Sequence, residues 1–218
     1  WLKGVVMKAH YNGLIPRNPF IQFHISPNVK EREYLTEDEL KAVMTHEFAD
    51  SKLAYIRDIF IFASFTALSF VDIQELTNDN IVEVNGEKWI LSKRHKTKVA
   101  FQVKLLDIPL QIVERYRPMQ KDNRIFPGLN YWSICKPLKR MIRECGITKS
   151  ISFHCSRHGF ATLALSKGMP IESVSRVLGH TNIVTTQLYA KITTQKLDND
   201  LTMFGDKLSK TFNGITMS

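Results

Sequence analysis

Four residues in the last third of the chain are of the types that handle a phosphate: His154, Arg157, His180 and Tyr189. They lie in His-Cys-Ser-Arg-His-Gly-Phe-Ala-Thr at 154–162 and in Leu-Gly-His-Thr-Asn-Ile-Val-Thr-Thr-Gln-Leu-Tyr at 178–189. A guanidinium offers a fork to two non-bridging oxygens, an imidazole gives or takes a proton near neutral pH, and a phenol can act as a nucleophile. His154 and Arg157 are spaced i, i+3, so a helix opening there carries both on one face near its N-terminus. Free amides and the macrodipole favour an anion at that end. Taken singly, each piece has a plainer reading: a surface helix, a histidine satisfied in the core, a tyrosine ring that only packs.

Cations concentrate upstream of this cluster. The stretch Lys93-Arg94-His95-Lys96-Thr97-Lys98 is strongly basic, and between Lys93 and Arg157 there are fifteen Lys and Arg against four Asp and Glu. The whole chain carries +9, so the excess sits in its middle and the rest is nearly balanced. A basic region of this kind suggests a face for a polyanion, nucleic acid being the commonest. A solvated surface with surplus lysine is the plainer alternative.

The bulk composition sets outer bounds. With 218 residues, 44% hydrophobic and 23% charged, the chain is globular material with enough apolar content for one large core. The most apolar stretch, 56–70, is broken by Arg57, Asp58, Ser64, Thr66 and Ser69, which argues against a membrane span. Cys135, Cys145 and Cys155 form an odd set without CxxC spacing, so a reducing cytoplasm is expected rather than a disulfide scaffold. A zinc site from Cys145, His154, Cys155 and His158 matches no usual ligand spacing and is set aside. The chain opens at Trp1 without a methionine or signal peptide, which suggests a natural start further upstream.

The elements that must position these residues follow from periodicity and caps. A helical pattern over 1–13 ends at Asn12-Gly13, and Pro16, Pro19 and Pro27 punctuate a linker. Thr36-Glu37-Asp38-Glu39 is a capping box opening a helix to about His46, and 51–68 reads as a central buried helix. Ser69-Phe-Val-Asp72 repeats the capping logic for a short helix to about Leu76. Ile81 to Val84, an Asn85-Gly86 turn and Trp89 to Leu91 predict a hairpin, with a third strand from Val99 to Leu105 after the basic turn. Helices are expected at 110–117, 131–144 (with Pro137 near its start or as a kink), 154–167, 171–178, 182–190 and 195–208. The fold class is therefore mainly α (α+β), a helical bundle with a small three-stranded antiparallel sheet.

In order and spacing together, His154-x-x-Arg157, Gly179-His180 and Tyr189, following a lysine-bearing hairpin, resemble the tyrosine recombinase (phage integrase) family, and specifically integrases of Bacteroidetes mobile elements. Tyr-Leu-Thr-Glu-Asp-Glu-Leu at 34–40 matches the usual opening of the catalytic domain. The resemblance implies the end of a core-binding domain at 1–19, a linker at 20–34, a catalytic domain at 35–192 and a tail at 193–218 that docks on a neighbouring protomer. It implies that Tyr189 attacks a phosphodiester to give a 3′-phosphotyrosine, without metal, ATP or other cofactor. Arg157, His180 and His154 would serve the phosphate. Lys96, in the Arg-x-Lys-Thr form at 94–97, would be the general acid, with Lys93 and Lys98 as near alternatives; Lys93, His95 and Lys98 would bind DNA. The implied partners are double-stranded DNA carrying the recombination sites, a tetramer assembled on it, and accessory DNA-bending proteins, in a bacterial cytoplasm at the nucleoid.

One family position departs. The first arginine of the usual Gly-Leu-Arg-x-x-Glu segment falls on Ser69 in Ala-Leu-Ser-Phe-Val-Asp at 67–72, which offers neither charge nor fork. Arg94 is the favoured replacement, since residues two apart on a strand share a face and Arg94 and Lys96 would then both point at the phosphate. Arg57, Arg115 or no replacement at all, which would leave the protein crippled, are the alternatives. Asp72 is expected to prop the site or cap its helix. A second class of function stays open: helix, glycine turn and helix over 171–190 also suit a helix-turn-helix regulator that binds DNA without cutting it.

Overall fold

A computed structural model of the chain describes residues 2–22, 33–95, 98–120, 122–190, 194–211 and 213. It divides into two compact units, Trp1–Glu31 and Arg32–Ser218. Among its described residues the first contains one helix, α1 (Leu2–Tyr11), closed by a turn at Asn12-Gly13. Much of the expected linker, with Pro27, lies outside the described residues.

The second unit opens as its capping box requires. The Glu39 carboxylate accepts from the Thr36 amide at 2.7 Å and the Thr36 hydroxyl from the Glu39 amide at 3.3 Å, which starts α2 (Glu37–Thr45). Asp50 caps α3 (Ser51–Thr66), whose Leu53, Ile56, Ile59, Phe60, Phe62 and Ala63 are fully buried. An apolar surface all round forces a helix into the centre. Around α3 pack α5 (Asp107–Tyr116), α6 (Tyr131–Glu144) and α7 (His154–Ser166), with the short α4 (Phe70–Gln74) directly after α3. Pro137 lies inside α6.

Three antiparallel strands stand in the order β1 (Ile81–Val84), β2 (Glu87–Lys93), β3 (Ala100–Lys104). Asn85 and Gly86 both take positive φ, as a two-residue hairpin matched to strand twist demands. Ile81 pairs with Ile90 and Lys93 with Ala100, and Ile90, Phe101 and Val103 are buried. The chain then closes with α8 (Ile171–Leu178), α9 (Val184–Gln187) and α10 (Thr194–Thr211).

Two expectations are corrected. β2 ends at Lys93, so Arg94 belongs to the turn and not to a strand, and the alternation argument that paired it with Lys96 does not hold. The helix expected over 182–190 is a single turn, α9. Asn182 Oδ1 accepts from the Val184 amide at 2.9 Å, which delays its start, and two β-branched threonines weaken its propagation.

Candidate active site

The C-terminus of α8 organises the site. Its last carbonyls have no partner within the helix and lie at the negative end of the dipole, so they attract cations. Gly179, at φ +63, turns the chain there. Arg157, from the first turn of α7, gives one Nη2 hydrogen bond to the Leu178 carbonyl and one from Nη1 to the Ala67 carbonyl at 2.7 Å. It therefore ties α7, the end of α3 and the end of α8 together. Burial, followed by the neighbouring Arg94, pulls the Arg157 pKa down to about 10, which leaves it charged at neutral pH.

Arg94 joins Arg157 at the same helix end. Its Nη2 donates to the Val177 carbonyl and its Nη1 to Asp72 Oδ2 at 2.7 Å, and the guanidinium carbon stands 4.0 Å from the centre of the Phe101 ring. The Arg94 and Asp72 side chains are only 6% and 4% exposed, a buried ion pair that loses water on both sides. Arg94 Nε is also buried and has no hydrogen-bond partner among the described residues. A Cβ at position 179 would stand 2.9 Å from that Nε and 3.0 Å from Arg94 Cγ, so the arginine fits because residue 179 is glycine.

Asp72 is the hub on the other side. Its Oδ2 accepts from the Ser69 hydroxyl at 2.8 Å and the Ser69 amide at 3.2 Å, and its Oδ1 from the His95 amide at 3.0 Å. Burial pushes the Asp72 carboxyl up, but the donors His95, Arg94 and Ser69 outweigh it and hold the acid below its usual range. Ser69, at the family's arginine position, is the N-cap of α4 and orients the carboxylate that grips Arg94.

His180 follows Gly179, with its Nδ1 2.9 Å from the hydroxyl of Thr186, a fully buried residue of α9. Burial, then Arg157, Arg94 and His154, push the His180 pKa down to about 4, so its ring is neutral at physiological pH. Tyr189 lies just beyond α9, its amide donating to the Thr186 carbonyl at 3.0 Å, and its ring stands 5.1 Å from that of His158. The buried His158 ring in turn meets His154 edge-on at 4.6 Å. The site is thus built from α7, the end of α8, α9 and the turn between β2 and β3.

Of the expected site residues, the fold gathers Arg94, Arg157, His154, His180 and Tyr189, with Asp72 and Ser69 behind them. Lys93, His95 and Lys98 are exposed on or beside the turn; His95 pairs with Glu75 at 2.8 Å, and Lys98 takes a positive φ that closes the turn back to the Arg94 carbonyl. Lys96 lies outside the described residues. Arg57 and Arg115 are engaged at Asp58, at 2.9 and 2.7 Å. Cys155 is buried, with its sulfur accepting from the Ser152 amide, consistent with a packing role. Among the described residues, no group of three or more His, Cys, Asp and Glu is arranged to hold a metal ion. No helix there is long and apolar enough to cross a membrane. The sequence reading passed over Thr186 and the Val177 and Leu178 carbonyls; the only sequence signal for them was a polar residue between His180 and Tyr189 and a glycine that ends α8.

This fold, α-rich around a small sheet, is that of solved DNA recombinases. The Tn1549 transposon integrase, in complex with a circular intermediate DNA, gives a TM-score of 0.78 at 18% identity over 93% of this chain and 76% of that one. The crystal structure of XerA recombinase gives 0.63 at 20% identity, over 91% and 72%. At such identities the likeness establishes the fold alone. Residues 33–196 match the phage integrase family, and the chain belongs to that family. Its relatives include the tyrosine recombinase XerA of Pyrococcus horikoshii, 32% identical over 177 residues, and XerD of Listeria innocua, 26% identical over 204. The matches take in 75% and 86% of this chain, and the chain spans 58% and 67% of the length of those two relatives.

Proposed function

We propose that the chain is the catalytic part of a site-specific DNA recombinase. The Tyr189 oxygen attacks the scissile phosphorus, the bond to the 5′ oxygen breaks, and a 3′-phosphotyrosine and a free 5′-hydroxyl result. The tyrosine gives up its proton and the departing oxygen gains one. Because the phosphoester is kept in the protein–DNA link, the reverse attack by a 5′-hydroxyl reseals the strand without ATP. The observation that carries this reading is the meeting of two guanidinium groups, a neutral histidine and a tyrosine at one end of α8. Such preorganised donors are what a phosphoryl transition state requires.

Arg157 supplies one fork and Arg94 takes the place of the arginine missing at Ser69. In support, Arg94 is held beside Arg157 at the end of α8 and keeps a buried Nε–H without a partner among the described residues, whereas Arg57 and Arg115 are occupied at Asp58. His180 donates to the phosphate, His154 assists it, and Lys96 protonates the leaving oxygen. Lys93, His95 and Lys98 meet the DNA backbone. Duplex DNA as partner is supported by the Tn1549 integrase having been solved with DNA. Assembly as a tetramer on DNA, with α10 reaching a neighbour, accessory bending proteins, and a place at the nucleoid of a bacterial cytoplasm complete the reading. A helix-turn-helix regulator is disfavoured because α9 is one turn long, too short to be a recognition helix.

The test is a nicked suicide substrate built from candidate element-end DNA. Wild type should give a covalent protein–DNA adduct and Tyr189→Phe none, while a binder that does not cut would shift the DNA with no adduct in either. On the same substrate, Arg94→Lys should cut at least about a hundredfold more slowly, the usual cost of losing one transition-state donor. Cleavage unaffected by Arg94→Lys but abolished by Arg157→Lys would remove Arg94 from the site.

A further inference from the structure

The hydrogen bond between His180 and Thr186 has a direction that the surroundings determine. Thr186 is fully buried, and its hydroxyl has His180 Nδ1, at 2.9 Å, as its sole hydrogen-bond partner among the described residues. It does not bond back to a carbonyl of its own helix, as the buried hydroxyls of Ser64 and Thr66 do to the carbonyls of Phe60 and Phe62. A buried hydroxyl proton without an acceptor costs about 1–3 kcal/mol, so the Thr186 proton goes to the ring nitrogen. Nδ1 must then be the unprotonated nitrogen of a neutral imidazole, and the ring proton sits on Nε2.

We propose that Thr186 is a positioning residue that locks His180 in its Nε2–H tautomer, so that the ring always presents a donor to the phosphate, and that ties this donor to the nucleophile segment. The tie is short: the Thr186 carbonyl accepts from the Tyr189 amide at 3.0 Å, so one residue of α9 holds both the histidine ring and the backbone of the tyrosine. Movement of Tyr189 towards or away from the phosphate therefore moves the partner of His180 as well. The inference rests on the proposed roles of His180 and Tyr189. Its agreement with the neutral ring is independent of them, since burial and the cations Arg157 and Arg94, with His154, keep a second proton off. A wrong tautomer would turn a lone pair towards the phosphate oxygens, where a donor is needed.

Histidine nitrogen NMR on 15N-labelled full chain, in wild type, Thr186→Val and Thr186→Ser, is the test, with cleavage of the suicide substrate measured alongside. Wild-type His180 should show the Nε2–H pattern at pH 7. Thr186→Val, of the same shape without the hydroxyl, should give a tautomer mixture and cut more slowly, by about the 10- to 100-fold that losing a histidine's orienting partner costs in metal sites. Thr186→Ser should restore both. An Nδ1–H ring in wild type overturns the proposal even if Thr186→Val fails to fold. So does Thr186→Val slowing cleavage with the tautomer unchanged, which is the mark of a merely structural residue. If wild type forms no adduct, the recombinase reading fails, and the tautomer of wild type and Thr186→Val still decides this inference.

Discussion

Gly179 carries two requirements at once. Its φ of +63 is a left-handed conformation that costs an L residue about 1–2 kcal/mol, and its missing side chain is the space in which Arg94 lies. Gly179→Ala therefore strains the backbone and places a methyl group 2.9 Å from Arg94 Nε, closer than a carbon and a nitrogen can stand. The arginine must retreat from the Val177 carbonyl, and with it goes the second cation beside Arg157. A loss of about 1–3 kcal/mol in urea unfolding is expected, together with a fall in cleavage larger than that of a control such as Gly168→Ala. Gly168 also has positive φ, but a Cβ there meets nothing within 4 Å. Equal effects of the two variants on cleavage would mean that only the backbone matters. This double role was half legible in the sequence: a glycine after an amphipathic run marks a helix end, but nothing in the pattern tells that an arginine 85 positions earlier will lie against it.

At the scale of elements, α4 and the β2–β3 turn are coupled through Asp72. The carboxylate takes hydrogen bonds from both ends of the contact, Ser69 on its own helix and Arg94 and His95 on the turn. Breaking one side of a buried pair costs about 3–5 kcal/mol, since the other charge is left unpaired in a poor solvent. Asp72→Asn should approach that loss in urea unfolding and should release the 94–98 turn to faster amide exchange, while exchange in α2 is unchanged. A variant as stable as wild type with the turn equally protected would show that Arg94 is held by the Val177 carbonyl and Phe101 alone. The elements themselves were readable because caps and periodicity are local: the boxes at Thr36 and Ser69, the Asn85-Gly86 turn and α8 all lie where local chemistry places them. What was not readable depends on contacts distant in sequence. Arg94 leaves the strand to reach Asp72, and α9 stops after one turn with its threonine committed to His180. Propensity cannot register either.

For the whole molecule, the open question is what α10 does for stability. Leu197, Leu201, Phe204 and Leu208 follow a spacing of three and four residues, which puts them on one face, and that face is exposed: Leu201 is 59% accessible, Phe204 58% and Leu208 39%. Apolar burial stabilises by roughly 25 cal/mol per Å² removed from water, and side chains that remain half in solvent supply little of it. Most of a helix's stability in a protein comes from packing its apolar face, so α10 adds almost nothing to the body unless another surface covers it. A chain ending at residue 193 should thus melt within about 2 °C of the full chain, given that 1 kcal/mol shifts Tm by roughly 2–4 °C at this size. The hydrogen bonds of Arg94, Arg157 and His180 come from α3, α4, α8 and α9, and the Tyr189 ring meets His158 of α7, so the isolated site should survive the truncation. A drop of about 10 °C would mean instead that α10 folds back on its own body in solution. With the melting temperature unchanged, loss of higher-order complexes on DNA in the truncated chain would place the apolar face at a contact between protomers.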